Sequence, residues 1–389
     1  MIGFWEKTFI LLIVLSSGAL ISVDYSLVKI LMIGIFFLLI IKREISTTIS
    51  KKLLIAIIFT SFLWVFQSIF YSNEEIIGDS IRTSLIFIII MLYANMNPER
   101  NVARVRFFYY VVLGFTIISG ILYICILANV NFPTISTSIS RDTVFYLQTY
   151  TGGNIVGNIW YRNCGIFWEP GLYQVFLNFS LLYVLYILKL KKSTKIIHIT
   201  IIMLSILSTG SLMGYFIASA IWLVYLLTNS SSNMQKVLLI VTALFVAIIV
   251  FPKLSILLDG KRTTESYSIR FNDIKSGFEV FASKPLLGYG ICNNAFENKY
   301  FNTYGIFRGS SNGLINALIS FGSVGFIFYM LLMIKYAKWF QIESSSKVFL
   351  PFFIWLIGSL ISEPISPMPF IFLFLGIGFA HFSSKKLVV

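Results

Sequence analysis

Charge is what this chain has least of. Asp, Glu, Lys and Arg make up only 12% of its 389 residues, while 57% are hydrophobic and the mean hydropathy is +0.86. A soluble domain carries about 25% charged residues, so this chain cannot cover a water-facing surface. It reads as an integral membrane protein. Cysteine is scarce as well: Cys125, Cys164 and Cys292 show no CxxC spacing and cannot all pair, which excludes a disulfide framework and a clustered metal site. Histidine occurs twice, at His198 and His381. No Walker loop or dinucleotide fingerprint stands between a strand and a helix, and "GYG" at 288–290 alone is a turn. Nothing calls for a cofactor or for nucleic acid.

What is present is a succession of apolar runs of roughly twenty residues, each long enough to cross a hydrocarbon core about 30 Å thick. Spans are expected near 8–23, 26–41, 52–72, 81–97, 104–128, 167–189, 196–209, 211–228, 236–251, 313–334, 347–362 and 366–382. The expectation is an all-α, polytopic fold of about twelve transmembrane helices in a single membrane domain, 1–389. The first run follows Lys7 and continues into a second after Asp24, so it reads as an uncleaved helix, not a removable signal. "KIIHITIIMLSILSTGSLMGYFIASAIWLVYLLT" is short for two full spans, and either two spans or a re-entrant pair bent at "STGS" would return the chain to the same side.

Lys and Arg in the short loops set orientation. Lys42, Arg43, Lys51 and Lys52, then Arg100, Arg104 and Arg106, then Lys189, Lys191, Lys192 and Lys195, then Lys335, Lys338 and Lys347, and finally Lys385 and Lys386 fall on one side, read as the cytoplasm. Of 16 acidic residues all but Glu6, Glu44, Glu99 and Glu343 fall on the other. That outer side also receives two long segments, near 129–166 and 252–312. In the second, "SIRFNDIKSGFEVFA" sets Ile269, Ile274, Phe278 and Phe281 on one helical face ahead of Pro285, the pattern of an amphipathic helix at the membrane surface.

The outer segments carry Arg141, Arg162, Arg270 and Arg308 among tyrosines, phenylalanines and tryptophans. Guanidinium groups fork onto phosphate oxygens, and aromatic rings suit sugar faces and the headgroup zone. A lipid-linked pyrophosphate bearing sugars needs both.

Four stretches resemble the O-antigen and capsule polymerases and the related O-antigen ligases. "RNCGIFWEPGLYQVFLNFSLL" looks like that family's R–x–x–G–x–F–x–E–P segment, and "LSTGSLMGYFIASAIW" resembles its Ser-rich segment two spans later. "SIRFNDIKSGFEVFASKPLLGYG" is similar to its arginine-to-P–L–x–G–x–G loop. "SSNGLINALISFGSVGFIFYMLL" resembles its H–N–x–x–L segment ending in G–x–x–G. They reach from about residue 162 to 332.

The resemblance implies a GT-C-like membrane glycosyltransferase in the bacterial cytoplasmic (inner) membrane, its active site facing the periplasm or exterior. It would move a growing glycan from one undecaprenyl pyrophosphate onto a fresh lipid-linked repeat unit, with no metal, and with a chain-length regulator as a further partner. Matched by position, Arg162 and Arg270 would hold the pyrophosphate, and Glu169 would serve as base or acceptor ligand. Arg141, Arg308, Ser311, Asn312 and Glu363 are the further substrate-binding candidates. Where relatives carry histidine before asparagine, this chain has Ser311 and then Asn312, and neither of its own histidines falls on the outer side.

Plainer readings stand beside these. Arg162 and Glu169 could simply pair at a helix end, Glu169 could cap its helix, and Arg270 could be a headgroup-facing charge. Gly322 and Gly325 read as a close-packing device. A ligase of the same fold is the near rival, and those enzymes more regularly keep the histidine. A transporter is the distant one, and it should carry ionisable residues at mid-span, where this chain has almost none.

Overall fold

The structure, a computed structural model, describes residues 2–45, 50–71, 74–139, 141–155, 158–229, 265–344 and 347–383. The chain is mostly helical. Its helices are α1 (Phe4–Ser16), α2 (Leu20–Asp24), α3 (Leu27–Ile41), α4 (Lys51–Tyr71), α5 (Glu74–Asn95), α6 (Asn101–Leu127), α7 (Pro170–Tyr186), α8 (Lys192–Ser208) and α9 (Leu212–Asn229). There follow α10 (Glu265–Ser283), α11 (Ala295–Tyr304), α12 (Gly313–Ser344), α13 (Phe349–Ser362) and α14 (Pro369–Ser383). Among the described residues α4, α5, α6, α9 and α12 are long and apolar enough to cross a bilayer, and α3, α13 and α14 are shorter apolar helices. The expected span at 236–251 lies outside the described residues.

The helices pack around α7. From Leu172 to Tyr186 every residue of α7 is buried, the signature of a helix enclosed on all sides. Phe176 stacks on Phe167 at 4.4 Å, and Phe179 meets Phe374 of α14 at 4.9 Å. Trp355 of α13 donates its indole N–H to the Val175 carbonyl at 2.9 Å. Of the polar groups enclosed with them, Asn178 donates to Gln174 Oε1 and to the Gly214 carbonyl, and Gln174 donates to Ser362. In apolar surroundings such groups must be satisfied inside the protein.

At the end away from the long outer segments, Glu6 is fully buried and takes two nitrogens of Arg104, at 2.9 and 3.2 Å, and one of Arg100 at 3.0 Å. Arg104 also donates to the carbonyls of Tyr93 and Met96. The cluster ties α1, α5 and α6 together. Arg106, Lys189 and Glu343, all assigned to that side by the charge rule, line one cavity there.

Two apolar runs are broken where the sequence pattern suggested continuous helix. The first, expected at 8–23, ends at Ser16, and Gly18 turns with φ +97°. Its backbone then pairs with the approach to α7: Leu20 N donates to the Ile166 carbonyl at 2.9 Å, and Trp168 N to the Gly18 carbonyl. The Ser17 hydroxyl caps the start of α14 by accepting the Phe370 N–H. The second break is in α12, where Gly322 adopts φ +62°. There the strip Pro285–Gly290 supplies what the helix has lost. Ser323 N donates to Pro285 O and Val324 N to Leu286 O, while Tyr289 N and Gly290 N donate to the carbonyls of Ile319 and Ser320. Gly322 thus does allow close packing, but its partner is the backbone of this strip, too near for any side chain on Gly322 or Gly288.

The segment "STGS" closes a hairpin of two separate helices. α8 ends beside Asn163 through the Ser208 hydroxyl, Gly210 turns with φ +59°, and α9 runs back until Tyr225 meets Tyr186. Of the two helices α9 is long and apolar enough to cross a bilayer. The purely α-helical expectation does not hold: residues 135–165 carry a four-stranded antiparallel sheet in the order β1 (Ile135–Ser136), β2 (Asp142–Val144), β3 (Gln148–Ile155), β4 (Asn158–Gly165). Its two long strands, "QTYTGGNI" and "NIWYRNCG", do not alternate apolar with polar residues, so pattern alone does not separate them from loop.

Cys292, exposed beside Thr83, is placed with the outer segments. An impermeant maleimide applied to intact spheroplasts is therefore expected to label it in a Cys125→Ser background. Cys164 does not compete, because it is buried and burial pushes its thiol up to about 12, leaving it largely unreactive. Labelling of Cys292 only after lysis would invert the topology.

Candidate functional site

The sheet delivers Arg162. β4 pairs with β3 so that Arg162 stands opposite Thr151, and a polar network seats the strand on the helices beneath. Asn163 donates to Ser208 of α8 and accepts from Gln148 and from the Gly165 N–H, while Ser119 of α6 donates to Gln148. With the strand fixed, the half-buried Arg162 donates its Nε to the Thr209 carbonyl at 2.9 Å. Gly210 keeps that place open, since a methyl there would crowd the guanidinium. Burial lowers the arginine's pKa from its ordinary value, against which Cys164, Tyr215, Glu169 and Glu363 pull it upward. Both carboxylates therefore lie within electrostatic reach of the guanidinium.

They reach it from different elements. Glu169 occupies the N-cap position of α7, with Pro170 beginning the helix, but its side chain makes no capping hydrogen bond. It is also not closed into an ion pair with Arg162. The Glu169 carboxylate, half-buried, thus stands at the start of α7, where the helix dipole favours a negative charge. Glu363, largely buried, follows the last turn of α13, and its carboxylate lies against Gly171 in the first turn of α7, where a side chain would collide. The Glu363 backbone is also crossed closely by Gly313 at the start of α12. The starts of α7 and α12 therefore converge on Glu363.

A second cluster adjoins the start of α12, and its centre is a residue the sequence reading passed over. Asp273 of α10 is fully buried. Its Oδ2 accepts the Ser311 N–H at 3.0 Å, the Ser311 hydroxyl at 2.6 Å and an Arg308 nitrogen at 3.2 Å. Arg308 and Ser311, expected to bind substrate, are in this structure spent in part on Asp273. Asn312 caps α12 by accepting the Ile315 N–H through its side chain at 3.1 Å. The face that α10 buries is Asp273, Ser276, Gly277 and Val280, while Ile274 and Phe278 face outward. Of the apolar stripe foreseen from spacing, Ile274 and Phe278 face outward, as in an amphipathic helix at a membrane surface, while Phe281 is partly buried against Val280 and its neighbours. The stripe hid Asp273: an acid opposite an apolar stripe reads as a solvated charge.

Arg270 lies one turn before Asp273 on α10, outside the residues whose side chains are described. Arg141 closes the β1–β2 turn through its backbone, its carbonyl accepting the Thr137 N–H at 2.9 Å. No three metal-ligating side chains come together among the described residues.

Helices long and apolar enough to cross a bilayer, packed around a buried α7, define a multi-pass membrane protein, with an arginine and two carboxylates near the start of α7. Residues 177–330 match the family model described as O-antigen ligase. The match runs from within α7 into the second half of α12. It takes in the STGS hairpin, α10, the 285–290 strip and the break at Gly322. Arg162 and Glu169 precede it and Glu363 follows it. The matched region supports a membrane enzyme of O-antigen ligase or polymerase type. No curated protein matches the chain.

Asp273→Ala should loosen the start of α12. It leaves Arg308 and the Ser311 donors without their acceptor, at a cost of about 1–3 kcal/mol for unsatisfied buried groups. The expected readout is a lower unfolding temperature in detergent with faster proteolysis near residues 305–312. Unchanged values for both would show that Asp273 does not hold this segment.

Proposed function

We propose that the protein is a glycosyltransferase that polymerises lipid-linked oligosaccharide repeat units at the outer face of the bacterial cytoplasmic membrane, into O-antigen or capsular polysaccharide. The observation that carries this reading is Arg162, fixed through its Nε to the Thr209 carbonyl with Glu169 and Glu363 in electrostatic reach. An arginine held by one nitrogen keeps its other donors for a phosphate.

In the reaction, the acceptor sugar hydroxyl attacks C1 of the donor glycan, and the bond from C1 to the pyrophosphate oxygen breaks. The hydroxyl proton passes to Glu169, and undecaprenyl pyrophosphate leaves with the bonding electron pair. Arg162 and Arg270 hold the departing pyrophosphate and stabilise the charge it gathers. Preorganised donors aimed at such developing charge contribute several kcal/mol. Glu363 and Arg141 orient the sugars. Ser311, whose hydroxyl donates to Asp273, keeps its oxygen as an acceptor for a substrate hydroxyl, and Arg308 lines the same approach. Asn312 supports the site by capping α12.

A ligase of the same fold would pass finished glycan to a different acceptor. Serine at 311, where relatives carry histidine, favours the polymerase. Supplying lipid-linked repeat units to the purified protein tests the choice directly: a ladder of products supports polymerisation, and a single transferred product or none sinks it.

Arg162→Ala and Arg270→Ala are each expected to cut ladder formation on the order of 10²-fold at normal protein abundance. Lysine should rescue only in part, because it restores charge without the fork. Normal ladders from both alanine variants would remove the arginines from the reaction.

Glu169→Gln keeps the shape of the side chain and removes its basicity. It should lower turnover by roughly 10² to 10⁴, with little change in detergent stability, since Glu169 makes no capping bond. Ser311→Ala should cost far less. Near-normal turnover per folded molecule in Glu169→Gln, or a larger loss in Ser311→Ala, would move the proton acceptor elsewhere.

A further inference from the structure

At the end of the bundle away from the outer segments, a cavity of about 280 Å³ opens between the first turns of α6, the chain leaving α7 and the last turns of α12. Each of those elements sets one charged side chain on it: Arg106, Lys189 and Glu343. Among the described residues no ion pair joins any of the three to another. Two cations and a carboxylate left unmatched around one cavity call for an occupant that carries both signs. Its anion meets the two cations, and its cation meets the carboxylate.

The rest of the wall says from where that occupant comes. Between the charges the lining is apolar and aromatic, with Val105, Ile187, Trp339 and Phe340. Tyr110 lines the same cavity and is nevertheless 42% exposed. It stands nine residues after Asn101, the first residue of α6, or about 14 Å along the helix, and α6 is long and apolar enough to span a bilayer. An exposed side chain at that depth faces lipid. The cavity is therefore open on its flank to the membrane as well as at its charged rim, which an ion confined to water would not use. Its volume falls just below the roughly 300–1,000 Å³ of pockets that enclose a whole small ligand. It has room for a headgroup and the start of its chains, and the chains continue out along the flank.

We propose that this cavity binds a zwitterionic phospholipid of the leaflet on that side, one whose headgroup carries a phosphodiester and a primary ammonium, as phosphatidylethanolamine does. Arg106 forks onto the phosphate oxygens and Lys189 adds a compact charge beside it. Glu343 accepts hydrogen bonds from the ammonium at the rim. The glycerol and first methylenes pass Val105 and Trp339 toward Tyr110. Basic pockets between transmembrane helices take lipid headgroups in general, and the carboxylate is what selects among them here. A purely anionic head leaves Glu343 unpaired beside a second negative charge, and a quaternary ammonium has no N–H to donate to it. A lipid so seated links α6, α12 and the end of the buried α7. The assignment does not depend on which glycan transfer the opposite end of the bundle performs.

The test is lipid retention by the full-length protein, delipidated in detergent and titrated with phosphatidylethanolamine, phosphatidylglycerol or phosphatidylcholine, with bound lipid counted by native mass spectrometry. Half-saturation with phosphatidylethanolamine should come at a concentration on the order of tenfold below that for the other two, about 1.4 kcal/mol. Arg106→Gln and Lys189→Gln should each raise that concentration severalfold. Glu343→Gln should erase the preference, so that phosphatidylglycerol binds at least as well. All three side chains are exposed, so unfolding temperatures should stay normal. Equal retention of the three lipids by the unaltered protein, unchanged binding in both cation variants, or an unchanged preference in Glu343→Gln would each overturn the proposal. Glycerophosphoethanolamine, the same head without chains, should not displace the lipid, and displacement at equal concentration would overturn the lipid assignment in favour of a soluble ligand. Glycan ladders play no part in this readout, so the polymerase reading can fail while these outcomes still decide the site.

Discussion

The enclosure of α7 is the constraint on which the rest of the structure depends. A helix buried on every side has no freedom to shift toward water, so its charged flank must sit where the bundle ends. Arg162 and Glu169, seven positions apart, are kept there because the residues after them are committed to the core. The flank is then held from several directions at once: from the sheet through Asn163, from α8 through Ser208 and Thr209, and from α13 through Glu363 against Gly171. Rigid support of that kind is what a site for charge stabilisation requires, because donors that must reorganise during reaction contribute little.

The same physical rule explains both interrupted helices. Irregular backbone at membrane depth survives only where protein supplies the missing hydrogen bonds. The break after α1 is satisfied by residues 166–168, immediately ahead of α7, and the break in α12 by the strip 285–290. Each interruption borrows its partners from a segment that carries one of the family-like motifs. The motifs "GIFWEP" and "PLLGYG" are thus structural complements to broken helices as well as neighbours of the chemistry.

Much of this was legible from the residues. Hydrophobic run length located most helices, and the distribution of Lys and Arg correctly gathered Arg106, Lys189 and Glu343 at one end. Arg162, Glu169 and Glu363 were singled out from motif and helix-end position, and the structure puts both carboxylates within electrostatic influence of Arg162. What could not be read was anything set by long-range pairing. The two long strands of the sheet at 135–165, "QTYTGGNI" and "NIWYRNCG", carry no alternation of apolar and polar residues to announce them. The break at Gly322 depends on a partner some 35 residues earlier in the chain. Asp273 gave no signal because its importance lies in Arg308 and Ser311, which approach it only in three dimensions.

The interrupted α12 also bears on how the chain is assembled. Residues 313–343 form an apolar stretch of 31 residues, which on leaving the ribosome has every reason to enter the bilayer as one straight, strongly tilted helix. The kink at Gly322 gains its replacement hydrogen bonds only when the already synthesised 285–290 strip docks against it. Forming the kink is therefore a late event, coupled to the meeting of two parts of the chain. A nascent protein halted before that meeting would carry the apolar stretch without its docked strip.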